Sequence, residues 1–442
     1  MRKENDGCYG ENGGKCMNKI GVFFDIKILI DNFFAKGTNR SGIYFVAWNV
    51  LNVMQKNKNL NITLAYPVEH EDSSSLKKIR KHPFFSQFEF ACTGAGTELE
   101  MVIKQRIKRY REKKIYIKMF YNYLCLKMLK RREKLHYNRE YLKNAEIYLS
   151  PYNVIPRKIL EQEHIKKIYI LYDIIPIKLT EYFGSIGFNL ILESLNKNTY
   201  SFCISQSCKD DFLKHCGDKL DSDKMFVTHI ATNQNYTPKY GKQELIQILK
   251  KYNVEHNPND KYLFSLCSLE PRKNLPFTIS CFLKFIKKHN IQDLYFYLGG
   301  GAWKSFKSVM AKILEEAGEF QHKIKLLGYI EDSDLNLLYS NSLFFTYLSQ
   351  YEGFGMPPLE AMQAGTPVIT SNNSSLPEVV GDAAISLTYN DESAVIKAFE
   401  DFYFNEDMRK DYTARGLERA KVFSWEKCVQ QMIHFIEEIA KC

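Results

Sequence analysis

The chain has 442 residues, of which 45% are apolar and 25% are charged, and its formal net charge is +10. This length is too great for one ordinary hydrophobic core, so we expect two domains. The balance of apolar and charged residues is that of a globular protein, which excludes a fibrous or wholly disordered chain. No stretch approaches the ~20 consecutive apolar residues that a membrane-spanning helix requires.

The N-terminal residues and the cysteines indicate a cytoplasmic protein. Residues 1–16 are polar and glycine-rich, so we expect a disordered lead-in rather than a secretory signal, with Met17 as a second candidate start. The 11 cysteines include no paired Cys-x2-Cys spacing, which favours free thiols in a reducing compartment. The one candidate metal site, Cys203 with Cys208 and Cys216, lacks such a spacing too, and we expect no metal there.

Apolar runs alternate with helical patterns through the first half of the chain. A glycine-bearing loop at 36–43 precedes the first helical pattern, which continues to Met54. This alternation predicts a parallel sheet with helices on both faces. The strands expected here are 20–25, 61–66, 147–150, 167–173, 202–205 and 226–228.

Residues 104–134 form a strongly basic segment. They include thirteen Lys or Arg and two Glu, interleaved with apolar and aromatic residues and free of Pro and Gly. The pattern predicts one long amphipathic helix or a helix pair, inserted at about 100–140. It is open to three interpretations: a solvated insertion, a surface for anionic lipid, or a nucleic-acid patch. Lipid is favoured and nucleic acid is the least favoured, because adjoining apolar and basic faces suit a membrane interface.

A polar segment at 233–260 predicts the boundary between two domains. We place the N-terminal domain at 17–240, the second domain at 241–424 and a terminal helix at 425–442. A second strand–helix series follows the boundary and predicts a second parallel sheet. Its expected strands are 262–265, 294–298, 324–327, 343–346 and 367–369.

The stretch 351–362 sets Glu352 and Glu360 eight positions apart, with a Gly-Phe-Gly turn and two prolines between them. Proline suits the first turn of a helix, where its missing N–H would be unsatisfied in any case. We therefore predict a glycine turn that carries Glu352, followed by a helix that carries Glu360. Such a helix start can bind an anion, and the carboxylates suit the hydroxyls of a sugar or ribose. The alternative is a solvated glutamate pair.

Arg272 and Lys273 lie between an apolar strand and a helical pattern. Ligands bind at such strand ends in open parallel sheets. Arg272 can hold phosphate oxygens bidentately and Lys273 supplies a point charge, so the pair predicts a phosphate site. A solvated cap on the strand is the alternative.

Taken together, residues 347–384 resemble the donor-site signature of family-four glycosyltransferases, the retaining enzymes of the GT-B fold. Glu352 and Glu360 fall on the Glu-x7-Glu motif of that family, and residues 268–275 resemble its diphosphate-binding loop. The resemblance covers the C-terminal half well and the N-terminal half patchily. It implies an α/β fold of two Rossmann-like parallel-sheet domains facing a cleft, with the C-terminal helix crossing back.

The resemblance also implies roles for individual residues. Arg272 and Lys273 would stabilise the departing nucleoside diphosphate without a metal ion. Glu352 would hold sugar hydroxyls, and Asp173 would contact the acceptor. Tyr172 occupies the position of a family histidine, which puts a histidine contact to the sugar in doubt. The residues implied in donor binding are Gly42, Gly299, Gly328, Tyr329, Gly353, Phe354, Gly355, Met356, Leu359 and Glu360, the last of these as the ribose contact.

The implied function is retaining transfer of a sugar from a nucleotide donor. Our first hypothesis is mannose from GDP-mannose, moved to a hydroxyl of a growing, lipid-linked cell-surface glycan. A UDP- or dTDP-sugar donor on the same fold is an alternative. A catalytically inactive, glycan-binding scaffold is another, kept open by Tyr172. The protein would work in the cytoplasm, with residues 104–134 meeting the inner membrane face.

Overall fold

The computed structural model describes residues 19–34, 42–94, 97–136, 139–179, 186–232, 236–301 and 306–441. The expected lead-in at 1–16 and the candidate start Met17 lie outside these ranges. So does most of the glycine-bearing loop at 36–43, of which Gly42 and Ile43 are described.

The N-terminal domain contains a seven-stranded parallel sheet with the order β3-β2-β1-β4-β5-β6-β7. Its strands are β1 Ile20–Asp25, β2 Leu60–Tyr66, β3 Glu89–Cys92, β4 Ile147–Ser150, β5 Lys166–Leu171, β6 Thr199–Cys203 and β7 Met225–Val227. Strand β1 is central, and its Val22 lies opposite Ile62 on one side and Ile147 on the other. Burial on both faces explains why this strand is almost wholly apolar. The edge strand β3 was not predicted.

Helices connect these strands and cover the sheet. They are α1 Lys27–Asn32, α2 Gly42–Met54, α3 Ser74–Lys81, α4 Thr97–Glu112, α5 Tyr116–His136, α6 Arg139–Leu142, α7 Arg157–Leu160, α8 Ile175–Lys178, α9 Ile186–Ser194 and α10 Gln206–Cys216. The basic segment therefore forms two helices, α4 and α5. The turn between them includes Lys114 in the left-handed region, at φ 54°. Within the described ranges, no helix is long and apolar enough to cross a membrane.

The C-terminal domain contains a six-stranded parallel sheet with the order β10-β9-β8-β11-β12-β13. Its strands are β8 Lys261–Leu266, β9 Leu294–Gly299, β10 Ile324–Gly328, β11 Phe344–Tyr347, β12 Val368–Ser371 and β13 Ala384–Leu387. Its helices, together with the terminal helix, are α11 Lys242–Lys251, α12 Leu275–Lys288, α13 Phe306–Ala317, α14 Asp332–Ser340, α15 Met356–Gln363, α16 Leu376–Val380, α17 Glu392–Phe404, α18 Glu406–Ala420 and α19 Trp425–Lys441.

The terminal helix α19 returns to the N-terminal domain, where it packs on α2. Phe435 stacks on Phe226 with ring centroids 4.0 Å apart. Trp425 Nε1 donates a hydrogen bond of 2.8 Å to the carbonyl of Thr232. The predicted architecture of two parallel-sheet domains and a returning helix is confirmed.

Candidate active site

A cavity of about 490 Å³ lies between the two domains. It is formed at the carboxyl ends of both sheets, where open parallel sheets bind ligands. Its walls are the start of α2, the segment after β5, the loop after β8 and the loop after β11. The cavity brings together nine of the predicted site residues: Gly42, Asp173, Arg272, Lys273, Glu352, Gly353, Phe354, Gly355 and Met356.

The loop after β8 buries the two predicted cations. Residues Pro271–Lys273 form a single 3-10 turn before α12. The side chains of Arg272 and Lys273 are only 13% and 6% exposed. The carbonyl of Arg272 accepts a hydrogen bond of 2.8 Å from Gln350 N. A solvated cap does not describe these residues, because both cations point into the protein.

The loop after β11 carries Glu352 and leads into α15. Ser374 Oγ accepts a 3.0 Å bond from Glu352 N. Ser375 Oγ donates to the Phe354 carbonyl at 2.8 Å and lies 3.0 Å from the Glu352 carbonyl. Gly355 precedes α15 with φ +109°, and a Cβ there would lie 2.7 Å from a Leu376 methyl carbon. Glycine is therefore required at this turn.

The two loops meet in a group of buried charges. Glu352 Oε2 lies 2.7 Å from Arg272 Nη1, and Glu352 Oε1 lies 2.6 Å from Lys273 Nζ. Ser349 Oγ donates a further bond of 2.5 Å to Glu352 Oε1. Glu270 Oε1 lies 2.9 Å from Arg272 Nη2. Two cations are thus shared between two carboxylates.

The cations decide the ionisation of Glu352. Burial disfavours its charged form, but attraction to Lys273 and Arg272 outweighs burial and lowers the pKa of Glu352 to about 2. The pKa of Glu270 is raised, because burial there outweighs the effect of Arg272. Glu352 is a carboxylate at neutral pH and can only accept hydrogen bonds. Its chemistry is that of an orienting and binding group rather than of an acid.

Across the cavity, the segment after β5 contacts the glycine turn. A Cβ on Gly353 would come within 2.9 Å of the Tyr172 carbonyl oxygen and 3.0 Å of Asp173 Oδ2. Asp173 Oδ1 accepts a bond of 2.9 Å from Ile175 N. Burial raises the pKa of Asp173 above its usual value, although Ile175 N–H and Arg272 oppose the shift. Glycine at 353 lets the two domains approach this closely.

Two polar atoms at the cavity have no hydrogen-bond partner among the described residues. They are the Tyr172 hydroxyl and Arg272 Nε, and both are buried. Both residues line the cavity. Buried polar atoms are nearly always paired, so these two are the atoms at which a bound ligand is most readily expected.

Three predicted donor residues lie at or beyond the edge of this cavity. Gly299 and Gly328 lie at the ends of the neighbouring strands β9 and β10. The Gly328 carbonyl accepts a hydrogen bond of 2.7 Å from Gly300 N, and the Gly299 carbonyl accepts one of 3.1 Å from Cys267 N. Cys267 lines the cavity, so these glycines continue its edge. Tyr329 is 45% exposed on the same side.

The remaining two predicted donor residues are buried within α15. The Leu359 side chain is fully buried, so it supports the helix from the core. Glu360 accepts a 2.8 Å bond from the Tyr339 hydroxyl, and neither residue lines the cavity. Burial raises the pKa of Glu360 to about 7, despite the Tyr339 bond. The two glutamates of one short stretch therefore have widely separated pKa values, at about 2 and about 7.

Some site residues were not predicted. Tyr347 lines the cavity, and its hydroxyl accepts a 2.5 Å bond from Lys273 Nζ. Its position at the end of β11 was the available signal. Glu270 and Ser349 flank the predicted residues in sequence, but only the fold shows that they reach the cations.

The domains are joined beside the cavity. Ser205 Oγ donates 2.9 Å to the Gly353 carbonyl. The Glu378 carboxylate accepts bonds of 2.6 Å from both Gln206 N and Ser207 N, at the start of α10. These contacts hold the cavity walls together.

Within the described ranges, no group of three or more His, Cys, Asp or Glu residues is placed to hold a metal ion. Cys203 and Cys208 are buried free thiols, and Cys208 Sγ donates to the Leu171 carbonyl.

Comparison with known proteins identifies the second domain. Residues 248–419 match the family described as "Glycosyl transferases group 1". This region is a group 1 glycosyl transferase domain. It contains the cations, Glu352 and Glu360.

Two curated relatives extend the match. O-antigen chain mannosyltransferase B of Escherichia coli is 35% identical over 213 residues, which cover 48% of this chain and 54% of that protein. Serotype-specific mannosyltransferase WbdA of Escherichia coli is 28% identical over 269 residues, covering 59% of this chain and 32% of that protein. The chain thus spans about half the length of the first relative and about a third of the second.

Among solved structures, sucrose-phosphate synthase from Thermosynechococcus elongatus is similar with a TM-score of 0.66. The two share 14% sequence identity, and the match covers 96% of this chain and 99% of that one. At such identity the likeness concerns the fold alone. The fold of the chain is GT-B, as the sequence resemblance implied.

Proposed function

We propose that this chain is a retaining glycosyltransferase that moves mannose from GDP-mannose to a hydroxyl of a growing, lipid-linked cell-surface glycan. The observation that carries the proposal is the buried pairing of Arg272 and Lys273 with Glu352 at the interdomain cavity. Mannose is supported by the names of the two Escherichia coli relatives.

The two cations suit a diphosphate leaving group. A nucleotide-sugar diphosphate is dianionic, and its charge grows as the sugar departs. Arg272 and Lys273 are already held in place by Glu352, so little reorganisation is needed when that charge develops. Arg272 Nε has no partner among the described residues and would donate to a phosphate oxygen. In this proposal the protein itself neutralises the leaving group, and no metal ion is required.

Glu352 is proposed to orient the sugar. Its carboxylate has lone pairs beyond those used by Ser349, Arg272 and Lys273, and these can accept from sugar hydroxyls. Asp173 lies on the opposite wall and is proposed to contact the acceptor hydroxyl. Retention would follow if the acceptor oxygen bonds to the anomeric carbon on the face that the diphosphate leaves, with its proton passing to the departing phosphate oxygen. Catalysis then rests on positioning and on charge stabilisation.

A lipid-linked acceptor places the reaction at a membrane. The cations of residues 104–134 support a cytoplasmic enzyme held at the inner membrane face by anionic lipid. Neither the lipid nor the acceptor needs to enter the protein core, because the cavity opens between the two domains.

A thermal-shift series with GDP-, UDP-, dTDP- and ADP-sugars tests the donor. A ligand that binds only the folded state raises the melting temperature by mass action. We expect the largest rise with GDP-mannose, and a larger rise with a UDP- or dTDP-sugar would reassign the donor. No rise with any of them would contradict the donor site.

Turnover is tested separately, by nucleotide release on addition of an acceptor glycan. The anomeric configuration of the product, read by NMR, tests retention. If the donor binds but no nucleotide is released on addition of any lipid-linked acceptor, the inactive scaffold would be favoured.

A further inference from the structure

We propose that the turn end of the α4–α5 hairpin, residues 106–128, inserts aromatic and aliphatic side chains into the headgroup region of a membrane rich in anionic phospholipid. The proposed function holds the enzyme at an anionic membrane surface, and this inference rests on that location. It adds that the hairpin tip enters the headgroup region instead of only being attracted to the surface. Vesicle binding needs no nucleotide sugar, so failure of this inference and failure of glycosyl transfer can be told apart.

The hairpin tip exposes an unusual concentration of large apolar side chains. Ile117 is 86% exposed and Phe120 is 61% exposed. The exposed residues are Ile115, Tyr116, Ile117, Phe120, Tyr121, Tyr123, Leu124 and Met128. Several of them recur at intervals of three and four, so they form one face of α5. Clustered exposed apolar residues mark an interaction site, whereas single ones need no explanation.

Cations surround this apolar face. The seven Lys and Arg residues between 106 and 118 are all exposed, and Glu112 is the one acidic residue among them. They are Arg106, Lys108, Arg109, Arg111, Lys113, Lys114 and Lys118. Tyrosine and lysine at the edge of an apolar face are typical of helices that lie in the membrane interface, where the apolar face enters the acyl boundary and the cations meet lipid phosphates.

The base of the hairpin is fixed to the N-terminal domain. Ile103 and Leu129 are each only 7% exposed and pack in the core. Arg132 pairs with Asp72, and Lys158 Nζ lies 3.1 Å from Glu133 Oε1. The hairpin is therefore anchored at one end and presents its apolar face at the other.

The base also lies on the cavity side of the N-terminal sheet. Asp72 follows the 3-10 turn Val68–His70, which comes directly after β2. A Cβ on Gly94, directly after β3, would lie 3.0 Å from Glu133 Oε1. These contacts are at the carboxyl edge of the sheet, the edge that faces the cavity. An inserted tip would hold the cavity close to the lipid surface.

Lipid fits this surface better than the other occupants. A second copy of the chain would bring two strongly cationic tips together. Nucleic acid would satisfy the cations but would leave the aliphatic side chains of Ile117, Leu124 and Met128 against water or phosphate. Anionic phospholipid suits both parts of this surface. Lipid phosphates pair with the cations, and the acyl-chain boundary of the bilayer accepts the exposed apolar face.

The test is flotation of the full chain with two kinds of vesicle, one of phosphatidylcholine alone and one with about 30% phosphatidylglycerol, an anionic lipid. We expect binding to the anionic vesicles only. The double variant Ile117→Ser with Phe120→Ser should weaken that binding about tenfold or more. Phe404→Ser is the matched control, because Phe404 is 60% exposed but lies in α17 of the other domain. It should bind as the wild type does.

Depth is read by fluorescence. Phe120→Trp should add emission that brominated lipid quenches, whereas Phe404→Trp should add emission that it does not quench. Several outcomes would overturn the inference. These are no vesicle binding, binding that the double Ser variant retains, or added emission of the Phe120→Trp variant that escapes quenching. Self-association of the wild type that the double Ser variant abolishes would assign the face to a second copy instead.

Discussion

Lys273 Nζ lies 2.6 Å from Glu352 Oε1, although the two residues are 79 positions apart in the chain. Arg272 holds the other oxygen of the same carboxylate at 2.7 Å. Two stretches that are distant in the sequence therefore form one buried charged group. Ion pairs with Glu352 hold both buried cations, so substitutions in this group should affect stability as well as activity.

Replacing Glu352 with Gln should lower the free energy of unfolding by about 3 kcal/mol at pH 7, because two buried cations lose their carboxylate. The folded pKa of about 2 lies below the usual 4.5. The stabilisation is thus fully present above pH 4.5 and is lost as the pH falls through 2. The difference in free energy of unfolding between wild type and Glu352→Gln, measured by urea unfolding, should be smaller at pH 3 than at pH 7.

Glu418→Gln is the control for this prediction, because Glu418 is 73% exposed and pairs only at the surface with Lys421. It should change the free energy of unfolding by less than about 0.5 kcal/mol at either pH. A gap for Glu352→Gln that is the same at pH 7 and pH 3 would contradict the assignment.

Arg272→Ala should lower kcat about 100-fold with little change in the donor KM, because it removes a charge that acts on the leaving diphosphate. Steady-state kinetics with the donor identified by thermal shift would measure this. Partial recovery of kcat on adding guanidinium ion would separate lost charge from misfolding. Arg415→Ala is the control, since Arg415 is exposed on α18 and pairs with Asp411. A raised KM with unchanged kcat would instead make Arg272 a ground-state binding residue.

Glu360→Gln should chiefly weaken donor binding, by about tenfold, if Glu360 is the ribose contact that the resemblance implies. Calorimetric titration with the nucleoside diphosphate and with the complete nucleotide sugar measures this. Equal loss for both ligands would fit a ribose contact. A loss confined to kcat would move Glu360 to the reacting centre.

Glu360 should also make stability depend on pH in the neutral range. Its folded pKa of about 7 lies above the usual 4.5, so the folded state prefers the protonated form. Below pH 4.5 the Glu360 carboxyl is protonated in both states and does not reduce the free energy of unfolding. As the pH rises through 7, the buried carboxylate lowers that free energy by up to about 3 kcal/mol. Glu360→Gln lacks this cost, so its stability relative to wild type should rise between pH 5 and pH 8. Melting temperatures that differ by a constant amount across that range would contradict it.

Tyr172→Phe should stabilise the free protein by about 1 kcal/mol, because it removes a buried hydroxyl that has no partner among the described residues. The same change should weaken binding of donor or acceptor. Tyr169→Phe is the matched control, since the Tyr169 hydroxyl bonds Ser194 Oγ at 2.8 Å and Ile155 N at 3.2 Å. It should destabilise the protein instead. Loss of stability in both variants would mean that Tyr172 is a structural residue.

Local patterns in the sequence determined most elements of the fold. Strand β1 begins and ends where its apolar run does, at Ile20 and Asp25. The glycine turn and proline pair before α15 predicted a turn followed by a helix, which the structure contains. Such features depend on neighbouring residues alone, so they can be read along the chain. Strands β3 and β13 were not predicted, because neither contains a fully buried apolar run: two of the four residues of β3 and one of the four of β13 are buried.

What only the tertiary structure decided depends on burial and on distant partners. Glu352 and Glu360 belong to one short stretch, yet two cations lower the pKa of the first and burial raises that of the second. The apolar residues of the basic segment could have packed inward, but the structure leaves those of the hairpin tip exposed. In both cases the sequence supplied the chemical groups. Their surroundings, which set charge and accessibility, come from chain segments that meet only when the two sheets and the hairpin are assembled.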